Sequence, residues 1–347
     1  MDAKSYYLKL MVEIRNFTPR ARVPDNEKTN LARSYFMKAA RIHEYGDATK
    51  IRIEDAPIPT LNDDDVLIRA VASSVNPVDW KIRRGYLQQM INYPMPLTLG
   101  WDVSGIVEAV GTAVTKFKPG DAVYSRPDIM RNGTYAEYVA VRESEIAFKP
   151  TTISHVEAAS LPLVSITAWE VLITSANLSA GQRVLIHAGA GGVGSIAIQL
   201  AKSLGAHVTA TASSGKLDLL RSLGADEVID YKRQDTAKAA QNMDVVFDTL
   251  GEAVQDTSWA SLNKGGILVS IAAKPSEERA KAEGKRAAYV FIQPSAMILT
   301  KLAELVDTGR IRPLIGGEFS LDHAAKAQLS SETGRTTGKI VIYTGQP

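Results

Sequence analysis

Short apolar runs broken by polar punctuation fill the first half of the chain, while the second half alternates strand-like and helix-like patterns. From residue 37 to about 154, "MKAARIHEY", "VLIRAVASSV", "WDVSGIVEAVG", "DAVYS" and "TYAEYVAV" are β-rich segments. Signals such as "NDDD" and "FKPGD" separate them, and this spacing predicts a compact β-barrel domain. The Asp63–Asp65 run reads as a solvated turn. "HVEAASLPLVSITAWEVLITSA" follows, helical in two pieces with a break near Pro162. Beyond it, "RVLIHA", "VGSIAIQLAKSLG", "HVTATA", "GKLDLLRSLG", "EVIDY", "MDVVFDTL", "AVQDTSWASLN" and "GILVSIAA" alternate strand and helix periods. Parallel strands joined by right-handed crossover helices meet that pattern, so a doubly wound domain is expected. The tail, "QPSAMILTKLAELVDTGRI", "LDHAAKAQLSSET" and "GKIVIYT", adds two helices and a closing strand.

Residues 1–36 stand apart, with "RNFTPRARVPDNEKTN" rich in charge, Pro and Asn and lacking a sustained period. Such a composition is expected to be mobile. Asp2, Glu13, Asp25 and Glu27 speak against a transit peptide, and an upstream extension or a mis-chosen start codon is the preferred reading.

Length and composition narrow the chemistry. The 347 residues suit about two domains. A formal charge of +2 gives no field suited to nucleic acid, and small molecules are the expected partners. The chain has no Cys, which removes disulfides, thiol nucleophiles and Cys-ligated zinc. His43, His155, His187, His207 and His323 show no metal-helix spacing, and no metal site is expected. No apolar run approaches the ~18–20 residues of a membrane span, and a cytoplasmic protein is expected.

"LIHAGAGGVGSIAIQLAKSLGA", residues 185–206, carries the clearest chemical signal. Gly189, Gly191 and Gly194 fit G-x-G-x-x-G, and Ala188, Gly191 and Gly194 also fit A-x-x-G-x-x-G, with Gly192 and Val193 inside the loop. An apolar strand leads in and a helix leads out, so backbone N–H groups at a helix N-terminus can approach a pyrophosphate closely. Dinucleotide binding follows. The acid expected about 20 residues later for NAD is missing, and Ser213, Ser214 and Lys216 of "SSGK" stand there instead. Hydroxyls and a cation suit the 2′-phosphate of NADP, although the serines would also serve as helix caps.

The β-rich first domain, the later dinucleotide domain and the returning tail together resemble the medium-chain dehydrogenase/reductase superfamily. "NPVDWKIRRG" at 76–85, "GWDVSGIVEAVG" at 100–111, "FKPGDAVY" at 117–124, "AGAGGVGSIAIQLAK" at 188–202 and "GKIVI" at 338–342 resemble its zinc-free quinone oxidoreductase, zeta-crystallin-like branch. The resemblance covers residues 37–347 and implies an α/β chain of two domains. A GroES-like β-barrel catalytic domain would take 37–157 and 294–347, and a doubly wound Rossmann NADP-binding domain 158–293. Zinc-dependent relatives need Cys ligands and a Gly-His-Glu in place of Gly100-Trp101-Asp102, so the resemblance implies a metal-free reaction.

It also implies residue roles. Asn76 and Asp79 would lie at the substrate cleft with Arg83 beside it, the competing readings being an Asx turn before Pro77 and an i, i+4 pair of Asp79 with Arg83. Tyr86 directly follows Gly85, while Leu87 holds the position usual for a family Tyr, and Tyr86 remains a candidate. Thr167 would contact the nicotinamide end or bond back to its own helical turn. Lys216 and Tyr231 would contact the adenosine phosphate, Tyr231 being alternatively a packed aromatic. Leu250 and Gly251 in "FDTLG" and Ile271 in "VSIAA" would bring backbone to the nicotinamide ribose and carboxamide. Lys339 would close the cofactor cleft or be a solvated strand start.

The expected activity is therefore NADPH-dependent, zinc-independent hydride transfer to a quinone or an α,β-unsaturated carbonyl such as an enone or enal. An NADPH-binding sensor or scaffold with little turnover is the reading from another class. "AAYVFI" at 287–292 is expected to extend the dinucleotide sheet and to pair with a second copy in a homodimer.

Overall fold

The computed structural model describes residues 36–345, so the expectations for residues 1–35 lie outside the described residues. The β-rich part runs β1 (Phe36–Ile42), β2 (Arg52–Pro57), β3 (Asp65–Val75), α1 (Pro77–Arg83), β4 (Leu97–Thr98), β5 (Val103–Val110), β6 (Ala122–Ser125), β7 (Tyr138–Arg142) and β8 (Ile146–Phe148). Then come α2 (His155–Ala159), α3 (Pro162–Trp169), β9 (Arg183–Ile186), α4 (Gly192–Ser203), β10 (His207–Ala212), α5 (Leu217–Ser222), β11 (Glu227–Asp230), α6 (Thr236–Ala239) and β12 (Met243–Asp248). The chain continues with α7 (Glu252–Ser261), β13 (Leu262–Ser270), α8 (Glu277–Ala282), β14 (Arg286–Tyr289), α9 (Ala296–Asp307), β15 (Ile315–Ser320), α10 (Ala324–Glu332) and β16 (Lys339–Tyr343).

β3 organises the β-rich part. Along one edge it pairs antiparallel with β5. Along the other it pairs with β7 over Asp65–Arg69 and with β16 over Ala72–Val75. Register shifts at Leu67/Ile68 and Ala70/Ala72 let this long strand bend, as bulges do. The same bend carries the C-terminal strand to the end of β3 that leads into α1.

The second part is a six-stranded, wholly parallel sheet in the order β11-β10-β9-β12-β13-β14, the arrangement of doubly wound dinucleotide folds. β14 extends the sheet as its outer strand, where the pattern of "AAYVFI" places it. Both faces are covered, which is why these strands are apolar throughout. Val184, Ile186, Val245 and Phe247 pack on one face with Ile196 and Leu200 of α4. Leu185, Val246 and Leu268 pack on the other with Trp259 of α7.

One reading fails in part. Asp63 and Asp64 lie in an exposed turn, but Asp65 is fully buried as the first residue of β3. Its carboxylate accepts from both terminal nitrogens of Arg131 at 2.6 and 2.8 Å and from the Asn62 backbone at 3.0 Å. A bidentate guanidinium and a backbone donor compensate its desolvation, and a run of acids in the sequence gives no sign of that distant partner. Among the described residues no helix is long and apolar enough to cross a membrane.

Candidate functional site

The glycine loop leaves the carboxyl end of β9 and enters α4. Each glycine has its own reason. A Cβ on Gly194 would stand 2.4 Å from the Ala188 carbonyl oxygen, and one on Gly189 would press on Ile198 and Ala210 at 3.0 and 3.1 Å. These two allow helix and strand to close on each other. Gly192 carries the stem of Lys339, whose Cδ would lie 2.8 Å from a Cβ there. Gly191 is different: its φ of −80° suits any residue, and the nearest atom to a Cβ would be the Ala188 oxygen at 3.4 Å. Nothing in the packing requires a glycine at 191, whereas close approach of a phosphate to the backbone would. The first-turn N–H groups of α4, with Val193 among them, have no partner within the helix itself.

The tail meets this loop directly. The Gly338 N–H donates to the Ala190 carbonyl at 2.8 Å, forming a bridge between Gly191 and Gly338. The next residue, Lys339, is buried rather than solvated, which corrects the strand-start reading. Its ammonium donates to the Val75 carbonyl at 2.9 Å, to Asn76 Oδ1, and to Asp102 Oδ2 at 3.2 Å. An ammonium has three donors, and all three go to protein. Lys339 thus touches the cofactor loop through its stem and keeps no N–H for a phosphate.

Asn76 and Asp79 are both fully buried beside this lysine. The Asn76 amide donates to Asp102 Oδ2 at 2.7 Å, so its side chain is not spent on an Asx turn. Asp102 also accepts from Ser74 Oγ at 2.7 Å and, through Oδ1, from the Leu163 N–H at the start of α3, also at 2.7 Å. Asp79 Oδ2 accepts from the Asn76 N–H at 2.8 Å and from the Tyr135 hydroxyl at 2.7 Å, while Oδ1 has no partner among the described residues. Burial pushes the Asp79 carboxyl up to about 7, against the pull of those two bonds and of Lys339. Burial also lowers the Lys339 ammonium from its usual range, against the attraction of Asp102 and Asp79.

Arg83 turns away from Asp79. Its Nε donates to Gln328 Oε1 at 2.7 Å, its Nη1 to the Gly46 carbonyl at 3.0 Å and its Nη2 to Glu332. The i, i+4 pair does not form, because α10 offers closer partners. Arg83 is fully buried, so it anchors α1 to α10 rather than facing an open cleft. Tyr86 is 67% exposed, its ring edge-on to Trp80.

Thr167 lies in α3, and the remaining candidates follow the carboxyl ends of strands of the parallel sheet. Thr167 donates back to the Leu163 carbonyl at 2.7 Å, leaving only its lone pairs for a ligand. Leu250 and Gly251 donate their N–H groups to Asp248 Oδ1, each at 2.8 Å, and Gly251 turns there with a φ of +80°. Ile271 donates its N–H to the Asp248 carbonyl at 3.1 Å. Ser213 precedes the turn after β10 without a side-chain capping bond. Ser214 donates its hydroxyl to Asp230, and Lys216 donates to the Arg335 carbonyl at 3.0 Å. Tyr231 is 55% exposed and is not a packed aromatic.

Sequence reasoning registered Asp102 only as a missing metal ligand and passed over Tyr135 and Gln328. One signal was present. Ser73 and Ser74 are consecutive polar residues of a strand buried on both faces, Asn76 lies just past its end, and all three are fully buried; buried polar groups demand partners.

Comparisons with known proteins follow the same architecture. Residues 62–151 match the alcohol dehydrogenase GroES-like domain, and residues 223–342 match the zinc-binding dehydrogenase family. A 2-methylene-furan-3-one reductase of Solanum lycopersicum is 37% identical over 320 residues, which cover 88% of this chain and 79% of that protein. The chloroplastic NADPH-dependent alkenal/one oxidoreductase of Arabidopsis thaliana is likewise 37% identical, covering 88% of this chain and 79% of its own. The structure of the quinone oxidoreductase from Coxiella burnetii aligns with a TM-score of 0.82 at 34% identity, covering 89% of this chain and 99% of that one.

Two glycines that look equivalent in sequence should behave oppositely. Gly194→Ala should cost about 1–3 kcal/mol in urea unfolding through overpacking. Gly191→Ala should leave stability within about 0.5 kcal/mol while weakening NADPH binding about tenfold or more in a fluorescence titration.

Asp79 should leave a mark on the pH dependence of stability. Its folded value lies above the usual 3.8, so between about 4 and about 7 the folded state holds a proton that the unfolded state has lost. The contribution is fully present below about 4 and is lost as pH rises through about 7. Asp79→Asn keeps an oxygen for Asn76 and Tyr135 and abolishes the titration. Its urea midpoint should therefore gain on wild type between pH 4.5 and pH 8, and a constant difference would contradict the assignment.

Proposed function

Because the chain belongs to the medium-chain dehydrogenase/reductase superfamily, in its branch of quinone and alkenal/one oxidoreductases, we propose that it is an NADPH-dependent reductase of quinones and α,β-unsaturated carbonyls. The observation that carries this reading is Gly191, a glycine required by neither packing nor backbone conformation, set at the N-terminus of α4 and facing the seam with β16. Ala188, Gly189, Gly191, Gly192, Val193 and Gly194 would hold the pyrophosphate. Ser213, Ser214, Lys216 and Tyr231 would meet the adenosine phosphate, with Lys216 and Ser214 exchanging their present partners for it. Thr167, Leu250, Gly251 and Ile271 would flank the nicotinamide end.

NADPH, when bound, supplies the hydride, and the chemistry of its transfer belongs to the nicotinamide. The chain's own residues bind, orient and exclude water. Asn76, Asp102 and Lys339 form a rigid polar floor, and Asp79 with Tyr135 holds a buried proton behind it. Reduction proceeds without zinc in this reading, because the donor set does not suit the ion. The chain has no Cys, Trp101 is buried apolar bulk, and the Asp102 oxygens are taken by four protein donors. Among the described residues no cluster of His, Asp or Glu has a metal-binding arrangement.

The same proposal includes the division into 37–157 with 294–347, around the β3-centred sheet, and 158–293, around the parallel sheet. It also includes a homodimer formed through β14, an edge strand whose Tyr289 and nearby Phe291 are exposed. Unpaired apolar edges invite partners.

The direct test is NADPH consumption with 1,2- and 1,4-naphthoquinone and with simple enones, where turnover is expected. NADPH binding without oxidation by any acceptor in a broad panel would replace this reading with that of a sensor or scaffold. Lys216→Ala should weaken NADPH by about 10–100-fold, the worth of a charge-assisted bond, and leave NADH nearly unchanged. Equal weakening of both would refute the phosphate contact.

A further inference from the structure

Arg126 directly follows β6 and is only 2% exposed, yet neither its Nε nor its Nη1 has a partner among the described residues. The strand register says where it lies. Val103 of β5 stands opposite Ser125 of β6, and Asp102 and Arg126 are the residues just beyond that last pair, with Asp102 acting on the Arg126 guanidinium through space. Arg126 therefore adjoins the floor formed by Asn76, Asp102 and Lys339.

Three carboxylates act on this guanidinium through space: Asp102, Asp128 and Glu145. None turns a free oxygen to it. Asp102 is saturated as described above. Asp128 accepts from the Met130 N–H and from Arg142, and Glu145 accepts from the Asp128 N–H and from Arg142. Burial lowers the Arg126 guanidinium from its usual range, against the attraction of these acids, and the hydrogens on Nε and Nη1 stay unmet, which costs the desolvation of each donor. A second group shares the condition. Tyr93 is 6% exposed, its ring lies 6.2 Å from that of Trp101, and its hydroxyl has no partner among the described residues. It feels Arg126 as its main cationic neighbour.

We propose that Arg126, with the Tyr93 hydroxyl, is the binding group for an oxygen of the electron acceptor, either the conjugated carbonyl oxygen or a carboxylate. The inference rests on the reductase reading above. In the reduction of an enone, a hydride carrying two electrons forms the C–H bond at the β-carbon and the C=C π bond breaks. The negative charge moves to the carbonyl oxygen, and a proton from solvent completes the saturated ketone. A fixed cation at that oxygen stabilises the charge where it collects. At a carboxylate the same cation selects the acceptor.

The test compares wild type with Arg126→Gln and the charge-keeping Arg126→Lys on 3-penten-2-one and on its carboxylate-bearing counterpart 6-oxohept-4-enoate. NADPH affinity is followed as a control on folding. A fall of kcat/KM of about tenfold or more in Arg126→Gln, partly restored in Arg126→Lys, is expected from loss of one charge-assisted bond. A fall on both acceptors identifies the carbonyl oxygen, and a fall on the acid alone identifies the carboxylate. A smaller change on both overturns the proposal. Where Arg126→Gln does not fold, Arg126→Lys with Tyr93→Phe decides by the same tenfold criterion on their combined loss. Equilibrium binding of 4-oxopentanoate to the NADP-saturated protein gives an answer that does not depend on turnover. It should weaken tenfold in Arg126→Gln, and unchanged binding overturns the proposal. Absence of turnover in wild type would instead count against the reductase reading.

Discussion

Everything about this molecule's site depends on one buried ionic contact, between Asp102 and Lys339. Four segments distant in sequence meet there. Asn76 arrives from the end of β3, Asp102 from the start of β5, the Leu163 N–H from the head of α3 and Lys339 from the start of β16. A buried ion pair repays its desolvation only when every remaining donor and acceptor is also satisfied, and here each of the ammonium's hydrogens and both carboxylate oxygens are engaged. Losing any one of these segments would strand a charge. The contact therefore fixes a geometry more than it adds stability, and that geometry sets the tail against the glycine loop.

That arrangement explains why the loop can be both tight and open. Gly189 and Gly194 let α4 close on β9, and Gly192 accepts the Lys339 stem. At Gly191 packing makes no such demand, and it caps the helix end whose first N–H groups lack partners within the helix. An anion entering there meets donors that need no rearrangement, so little of its binding energy goes into ordering the loop.

Much of this was legible in the sequence because it is local. The strand–loop–helix at 183–203, the parallel alternation after it and the break near Pro162 each follow from periodicity and punctuation within about twenty residues. The partners of buried charges are not local. Asp65 finds Arg131, Arg83 finds Gln328 and Glu332, and Lys339 finds Asn76 and Asp102, pairings that exist only once the chain has closed. The solvated turn for Asp65, the i, i+4 pair for Arg83 and the solvated strand start for Lys339 fail for the same reason: a charged residue seen alone defaults to solvent or to its i+4 neighbour. The Ser213–Lys216 turn shows a milder form. Its residue types suit a phosphate, but their present bonds, Ser214 to Asp230 and Lys216 to Arg335, depend on segments that arrive later.

The saturation of Lys339 has a chemical corollary. Lys339 is a cation at this site whose every hydrogen is already committed to protein. Such a group can shape the site but cannot polarise an acceptor. Thr167 has likewise given its hydroxyl proton to its own helix, and Asn76 gives its amide to Asp102. Whatever stabilises negative charge on a reduced acceptor must then come from donors that the fold leaves uncommitted. On the wall beyond Asp102 these are the guanidinium of Arg126 and the hydroxyl of Tyr93. An acceptor that is already electrophilic needs no more than such donors, which is why the proposed contact fits conjugated carbonyls.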